Sequence, residues 1–352
     1  MNLISAIILI DFVHNSNVSH IRQYVEVFTK IKYLNTQKAF MAINKVLLIT
    51  PRGFCAGVDR AIATVEQALK IYGAPIYVKH EIVHNKVVCD ALRAKGAIFV
   101  EEVSEIPENS LCVFSAHGIA PSVRAEARAK KLRTVDATCP LVNKIHVEIE
   151  RFAKDGKHII YIGHRGHPEA VGVMGIRPDI TELVDNVKEV EHLNVSDPDN
   201  LVYLTQTTLS VDECDGIVKA LKEKFPKISA PPSDDISYAT TNRQAAVKVA
   251  VQKCDILIVV GSKNSSNSNR LVETARTLGR DAYLVDTIHD MKEEWLNGKS
   301  VLGITAGASA PEHIIQEIAL HFKNNGAIVE DLNVIDESMK FTMPYELNRH
   351  SK

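Results

Sequence analysis

The chain has 352 residues, enough for two or three domains, because single hydrophobic cores rarely grow beyond roughly 250–300 residues. Its 45% hydrophobic and 24% charged residues are typical of a soluble globular protein, and its net charge of −2 gives no overall basic field for nucleic acid. Since no run approaches the roughly 18 apolar residues that a membrane helix needs, neither nucleic acid nor a membrane is predicted as a partner.

The six cysteines are too few and too widely spaced for a disulfide scaffold. They predict a reducing, cytoplasmic environment. We interpret four of them as structural because they fall inside helical or strand patterns: Cys89, Cys112, Cys214 and Cys254.

Compact patterning begins at Met41, so residues 1–40 are predicted to be an N-terminal extension or a wrongly assigned start. From there, short runs rich in Val and Ile alternate with stretches of helical period. This alternation predicts an α/β protein with parallel sheets covered by helices. The predicted units are residues 41–138, 139–236 and 237–333, followed by a tail over 334–352.

One layout occurs in all three units. The runs "KVLLIT" and "RTVDAT" lead into Cys55 and Cys139, each followed by a helical pattern, and in the third unit Ser237 precedes the helix "RQAAVKVAV". His84, His167 and Ser265 then follow these first polar positions at intervals of 28 or 29 residues.

A further strand closes each unit and is followed by polar residues, which are His117, Thr207 with Thr208, and Ser309. Ligands of open α/β sheets bind outside the carboxyl ends of the strands. We therefore predict that three small α/β units form a pseudo-threefold trefoil around one central cavity.

Cys55 and Cys139 lie too far apart in the chain for a zinc finger, but they suit an iron–sulfur cluster held between domains, with one iron left open. A lone cysteine at a helix start is more often a small buried hydrophobe, and the repeated position argues against that here.

Polar residues at the strand ends precede helices, whose free N–H groups and dipoles favour anions. They predict a diphosphate pocket, although any one histidine taken alone would as readily make turn hydrogen bonds. The residues are His84, His117, His167, Ser265, Ser266, Asn267 and Ser309. Glu169 with Thr207 nearby is predicted to pass a proton to a departing hydroxyl.

Nine motifs together resemble the hydroxymethylbutenyl diphosphate reductase (LytB/IspH) family from about Ile43 to about Leu347. They are "PRGFCAGVDRAI", "APIYVKHEIVHN", "FSAHG", "DATCPLV", "GHPE", "TQTTLSVD", "YATTNRQ", "GSKNSSNSNRL" and "TAGASAPE". The resemblance implies a trefoil around a [4Fe–4S] cluster held by three cysteines. It also implies an allylic diphosphate substrate that loses its hydroxyl as water, and electrons from a ferredoxin or flavodoxin.

The resemblance carries the first two cluster ligands onto Cys55 and Cys139, and the proton donor onto Glu169. It carries the substrate contacts onto His84, His117, His167, Thr207, Thr208, Ser265, Ser266, Asn267 and Ser309.

The family's third cluster cysteine falls at Ser237, whose hydroxyl should hold soft iron poorly. Cys254 cannot easily substitute, because it is expected at the opposite end of the sheet. Two hypotheses follow, an impaired reductase with an unstable, absent or three-iron cluster, and a redox-inactive relative that binds diphosphate.

A nicotinamide-dependent dehydrogenase is disfavoured because "PRGFCAG" has the wrong glycine spacing for a dinucleotide fingerprint. The tail "KFTMPYEL" is expected to close over the site.

Overall fold

The computed structural model describes residues 43–348, so the predicted extension over residues 1–40 lies outside the described residues. Within this range the strands are β1 (Lys45–Thr50), β2 (Ile76–Lys79), β3 (Ala97–Val100), β4 (Leu111–Phe114), β5 (Arg133–Asp136), β6 (His158–Ile162), β7 (Thr181–Val184), β8 (Leu201–Thr205), β9 (Ile256–Val260), β10 (Asp281–Val285), β11 (Val301–Ala306) and β12 (Ile328–Asn333).

The α-helices over the same residues are α1 (Ala56–Tyr72), α2 (Lys86–Ala94), α3 (Pro121–Ala129), α4 (Pro140–Lys154), α5 (Pro168–Met174), α6 (Val187–His192), α7 (Val211–Lys224), α8 (Tyr238–Ala250), α9 (Ser266–Thr277), α10 (Glu312–Asn324) and α11 (Tyr345–Asn348). None of them is long and apolar enough to cross a bilayer.

These strands form three parallel sheets, with the orders β10-β9-β11-β1-β12, β3-β2-β4-β5 and β7-β6-β8. We call them the five-stranded, four-stranded and three-stranded sheets. The α/β class with three parallel sheets is confirmed.

The predicted boundary of the first unit, residues 41–138, is wrong for β1. This strand lies between β11 and β12, with Val46 opposite Leu302 and Val329, so it belongs to the sheet of the third unit. The physical reason is that four successive residues of β1, Val46 to Ile49, are buried. Such a strand needs a neighbouring strand at each edge and packed side chains on both faces, which an interior position in a sheet provides. The chain then crosses into the four-stranded sheet after α1.

Local sequence signals determine the helices that lead away from the sheets. Helix α1 ends at Tyr72 and is followed by Gly73, whose φ of 75° is costly for other residues. Helix α4 begins with Pro140 in its first turn and buries Val142, Ile145 and Ile149 on one face. The end of α1 and the start of α4 are therefore each determined by a residue at that position.

Candidate active site

One cavity between the sheets is lined by every residue that the sequence predicts for the site: Cys55, His84, His117, Cys139, His167, Glu169, Thr207, Thr208, Ser237, Ser265, Ser266, Asn267 and Ser309. Its empty volume, including the mouth, is about 770 Å³.

Cys55 and Cys139 occupy the residue immediately before α1 and α4, and neither side chain caps its helix. Both sulfur atoms lie against Gly57. A Cβ atom added there would stand 2.7 Å from Cys139 Sγ and 3.8 Å from Cys55 Sγ. The thiols are thus directed at a common point beside two helix N-termini.

Burial raises the pKa of the Cys55 thiol, and burial together with the neighbouring Cys55 raises the pKa of Cys139 to about 12. The two thiols are therefore uncharged near neutral pH unless a cation compensates them. A metal that binds them must displace their protons.

Ser237 precedes α8 in the same way, but its side chain behaves differently from the two thiols. Its Oγ accepts a hydrogen bond from the Thr240 backbone N–H at 3.2 Å and lies 2.9 Å from Thr240 Oγ1. The hydroxyl is therefore a helix cap that faces the same cavity.

Three histidine rings form one wall of the cavity. His84 and His117 are stacked with ring centroids 4.1 Å apart, and His167 lies edge-on, 5.3 Å from His84. Both ring nitrogens of His84 and Nε2 of His167 are buried without a hydrogen-bond partner. Burial and the neighbouring rings lower the pKa of His167 to about 3 and that of His117 well below its usual value.

Hydroxyl and amide groups, several of them at the start of α9, also line the cavity. Ser265 caps this helix, and Asn267 Oδ1 accepts the Ala308 N–H at 2.9 Å. Thr208 Oγ1 donates to Ser266 Oγ at 3.1 Å, and Ser309 Oγ donates to the His84 carbonyl at 3.0 Å. These bonds join residues of all three sheets around one polar pocket.

Glu169 is 2% exposed in the first turn of α5. Its Oε1 accepts the Thr207 N–H at 2.8 Å, and its Oε2 accepts the Thr207 hydroxyl at 2.7 Å. Burial outweighs these hydrogen bonds and raises the pKa of Glu169 to about 7. The carboxyl group can therefore hold or release a proton near neutral pH.

A family model described as LytB protein matches residues 46–323. The chain belongs to the LytB family. The predicted resemblance is confirmed.

Proteins named 4-hydroxy-3-methylbut-2-enyl diphosphate reductase are similar to the chain over most of its length. One from Nitrosomonas europaea is 53% identical over 310 residues, covering 85% of this chain and 96% of that protein. One from an Azoarcus species is 53% identical over 305 residues, covering 86% and 98%. The chain is accordingly an oxidoreductase of the LytB family.

Two solved structures extend the comparison. The E-1-hydroxy-2-methyl-but-2-enyl-4-diphosphate reductase from Plasmodium falciparum matches with a TM-score of 0.85 and 43% identity, over 87% of this chain and 98% of that chain. A structure of (E)-4-hydroxy-3-methyl-but-2-enyl diphosphate reductase matches with a TM-score of 0.58 and 27% identity, over 80% and 100%.

The structure of this LytB-family chain adds residues that the sequence did not indicate. His80 has its ring centroid 5.6 Å from that of His84 and 5.8 Å from that of His117. Arg243 is fully buried and donates to the Gly53 carbonyl at 2.7 Å and to Glu337 at 3.0 Å. No periodicity marks either residue, because their partners come from distant segments.

The C-terminal tail reaches the cavity, as expected from "KFTMPYEL". Phe341 lines the cavity wall. Arg60 on α1 donates to the Thr342 carbonyl at 2.7 Å, and Leu347 is buried in the core beside α1. The tail is thus held against the domain that carries Cys55.

Proposed function

We propose that the chain catalyses the reductive dehydroxylation of (E)-4-hydroxy-3-methylbut-2-enyl diphosphate to isopentenyl and dimethylallyl diphosphate. The carbon–oxygen bond breaks, two electrons and two protons enter, and the hydroxyl group leaves as water. The observation that carries the proposal is one cavity lined by two partly buried thiols, a histidine wall and a buried carboxyl group.

The thiols of Cys55 and Cys139 fit an iron–sulfur cluster. Their sulfurs lie around one point, and the helix N–H groups beside them offset part of the cost that burial imposes on the thiolate form. When bound, such a cluster supplies electrons one at a time and a Lewis-acidic iron. We propose a ferredoxin or flavodoxin in the cytoplasm as the source of those electrons.

The position of Ser237 fits the cluster less well. A hydroxyl is a harder and far less acidic donor than a thiol, and this hydroxyl already caps α8. We therefore propose that Ser237 replaces a third thiolate ligand and leaves the cluster unstable, incomplete or absent, with strongly reduced turnover.

The diphosphate is proposed to bind between the histidine wall and the start of α9. Ring nitrogens of His84 and His167 have no hydrogen-bond partner, so they can bond to phosphate oxygens. Free N–H groups at a helix start also favour an anion. The further contacts in this proposal are His117, Thr207, Thr208, Ser265, Ser266, Asn267 and Ser309.

Glu169 is proposed as the proton donor, with Thr207 as its partner. In the protonated state its Oε2 can donate to Thr207 Oγ1, which faces the cavity, and the hydroxyl can pass a proton onward. With a pKa of about 7, the carboxyl group can both release this proton and take up another near neutral pH.

Restoring the thiol tests the assignment. We expect the Ser237→Cys chain, reconstituted anaerobically, to hold more iron and sulfide than the parent and to gain turnover by at least about 10-fold, because loss of a partner even outside the ligand shell typically costs about 10–100-fold. The matched control is Ser210→Cys. It changes the cap of α7 in the same way, and Ser210 does not line the cavity.

A Ser237→Cys chain that carried a full cluster, seen by electron paramagnetic resonance, yet failed to reduce the substrate would overturn the assignment. A second candidate function is a redox-inactive protein that binds the diphosphate. The hydrogen bond by which Ser237 caps α8 favours this second function. The second function predicts that the parent chain binds diphosphate and holds no cluster after reconstitution.

A further inference from the structure

The loops after β2 and β4 bring three imidazoles together, and two of them, His84 and His117, line the cavity. One nitrogen of each of His80, His84 and His117 lies within 4.8 Å of one nitrogen of the other two. His80 stands edge-on to the other two rings, which are stacked on each other. The diphosphate assignment uses His84 and His117 and leaves His80 without a role.

Two of the three rings have a hydrogen-bonding neighbour at Nδ1. His80 Nδ1 lies 2.8 Å from Glu101 Oε2, and His117 Nδ1 lies 3.2 Å from Ser115 Oγ. His84 Nδ1 lies 3.5 Å from Glu81 Oε2, an ion-pair distance without a hydrogen bond. Metal-binding histidines typically have such a partner at the second nitrogen, because it fixes the tautomer and orients the ring.

Two of the remaining ring nitrogens have no partner. Nε2 of His80 and Nε2 of His84 are both buried and make no hydrogen bond. A buried polar atom without a partner is destabilising, so two of them in one place indicate a ligand.

We propose that His80, His84 and His117 bind one divalent transition-metal ion of the Zn²⁺ or Co²⁺ class through their Nε2 atoms. Imidazole nitrogens suit these ions and bind them at about 2.0–2.1 Å, so two ligands of one ion stand at most about 4.2 Å apart. One nitrogen of each ring lies within 4.8 Å of the others, so metal binding requires the rings to rotate and to bring these atoms closer by roughly 0.6 Å or more. The remaining coordination position is open to water.

The segment that carries two of these ligands has the spacing H-E-x-x-H, from His80 to His84. In zinc peptidases that spacing brings two histidines together on a helix. Residues 80–85 contain no helix, and His80 adopts a φ of 63°, in the left-handed region. A turn therefore brings the two rings together here, and Glu81 stands beside His84.

This metal site goes beyond the proposed function. It takes two of the histidines that we assign to the diphosphate, so a bound ion removes two hydrogen-bond donors from that ligand. If the metal site and the diphosphate site are both assigned correctly, ions of this class inhibit the reductase.

Titration with Co²⁺ alone tests the site, in the full chain carrying Cys55→Ala and Cys139→Ala so that thiolates do not compete. We expect one ion per chain, with the visible absorption of nitrogen-ligated cobalt. Adding Glu101→Gln should weaken binding by about 10–100-fold, and His80→Gln by at least as much. The control is His158→Gln, which removes another carboxylate-paired histidine at the start of β6.

Loss of affinity in the His80 and Glu101 variants, with the control unchanged, supports the site. The proposal is overturned if no cobalt spectrum appears, or if Glu101→Gln and His80→Gln bind Co²⁺ as tightly as the control does. Thermal unfolding of each variant identifies any that fails to fold, and Glu101→Gln retains a test because Glu101 is exposed. Neither substrate nor cluster is present, so failure of the reductase assignment would leave this result unaffected.

Discussion

The buried carboxyl group of Glu169 should make the stability of the chain depend on pH in an unusual direction. Its pKa is raised from 4.5 to about 7, chiefly because burial disfavours the charged form. The native state therefore binds this proton more tightly than the unfolded state does. The resulting stabilisation is fully present below pH 4.5 and is lost as the pH rises through about 7.

The magnitude follows from the size of the shift. A difference of about 2.5 pH units, at about 1.4 kcal/mol each, gives about 3 kcal/mol. Glutamine keeps the shape and the acceptor for the Thr207 N–H but cannot ionise. We expect the free energy of unfolding of Glu169→Gln, relative to the parent, to rise by about 3 kcal/mol between about pH 4.5 and about pH 8.

Urea unfolding of the cluster-free chain at several pH values measures this difference. Glu317→Gln, on an exposed part of α10, controls for the loss of one carboxyl group. The burial argument would be refuted if the difference in free energy of unfolding between Glu169→Gln and the parent stayed constant over this pH range. It would also be refuted if that difference rose only below about pH 5.

Two further predictions concern helix α8. Ser237→Ala should lower the free energy of unfolding by about 0.5–2 kcal/mol in urea, because it removes the cap on Thr240; an unchanged value would contradict the capping role. Arg243→Met should cost about 3–5 kcal/mol, because it breaks a buried ion pair with Glu337 and leaves the Gly53 carbonyl without its donor. A double-mutant cycle with Glu337→Gln measures the pair directly, and additive losses would show that the two side chains do not interact.

The position of the site was predictable because it depends on local rules. Polar residues that follow a buried strand lie at its carboxyl end, and parallel strands bring those ends to one edge. Cys55, Cys139 and Ser237 occupy the same place before three helices, and equal spacing along the chain brought His84 and Ser265 to the same cavity.

Other features of the site depended on residues far apart in the chain. The sequence could not assign β1 to the five-stranded sheet, because a short buried apolar run carries no local signal for the sheet that it joins. Nor could it indicate His80, whose ring reaches the site only through the turn that follows β2.

The sequence by itself determined the α/β class, the helix starts, and the residue types that reach the central cavity, since periodicity, caps and strand ends act over a few residues. Only the tertiary structure decided which sheet takes β1, that the two thiols share one point at Gly57, and that Glu169 has a pKa of about 7. These properties arise from burial and from contacts between distant segments, so they exist only once the three sheets have packed together.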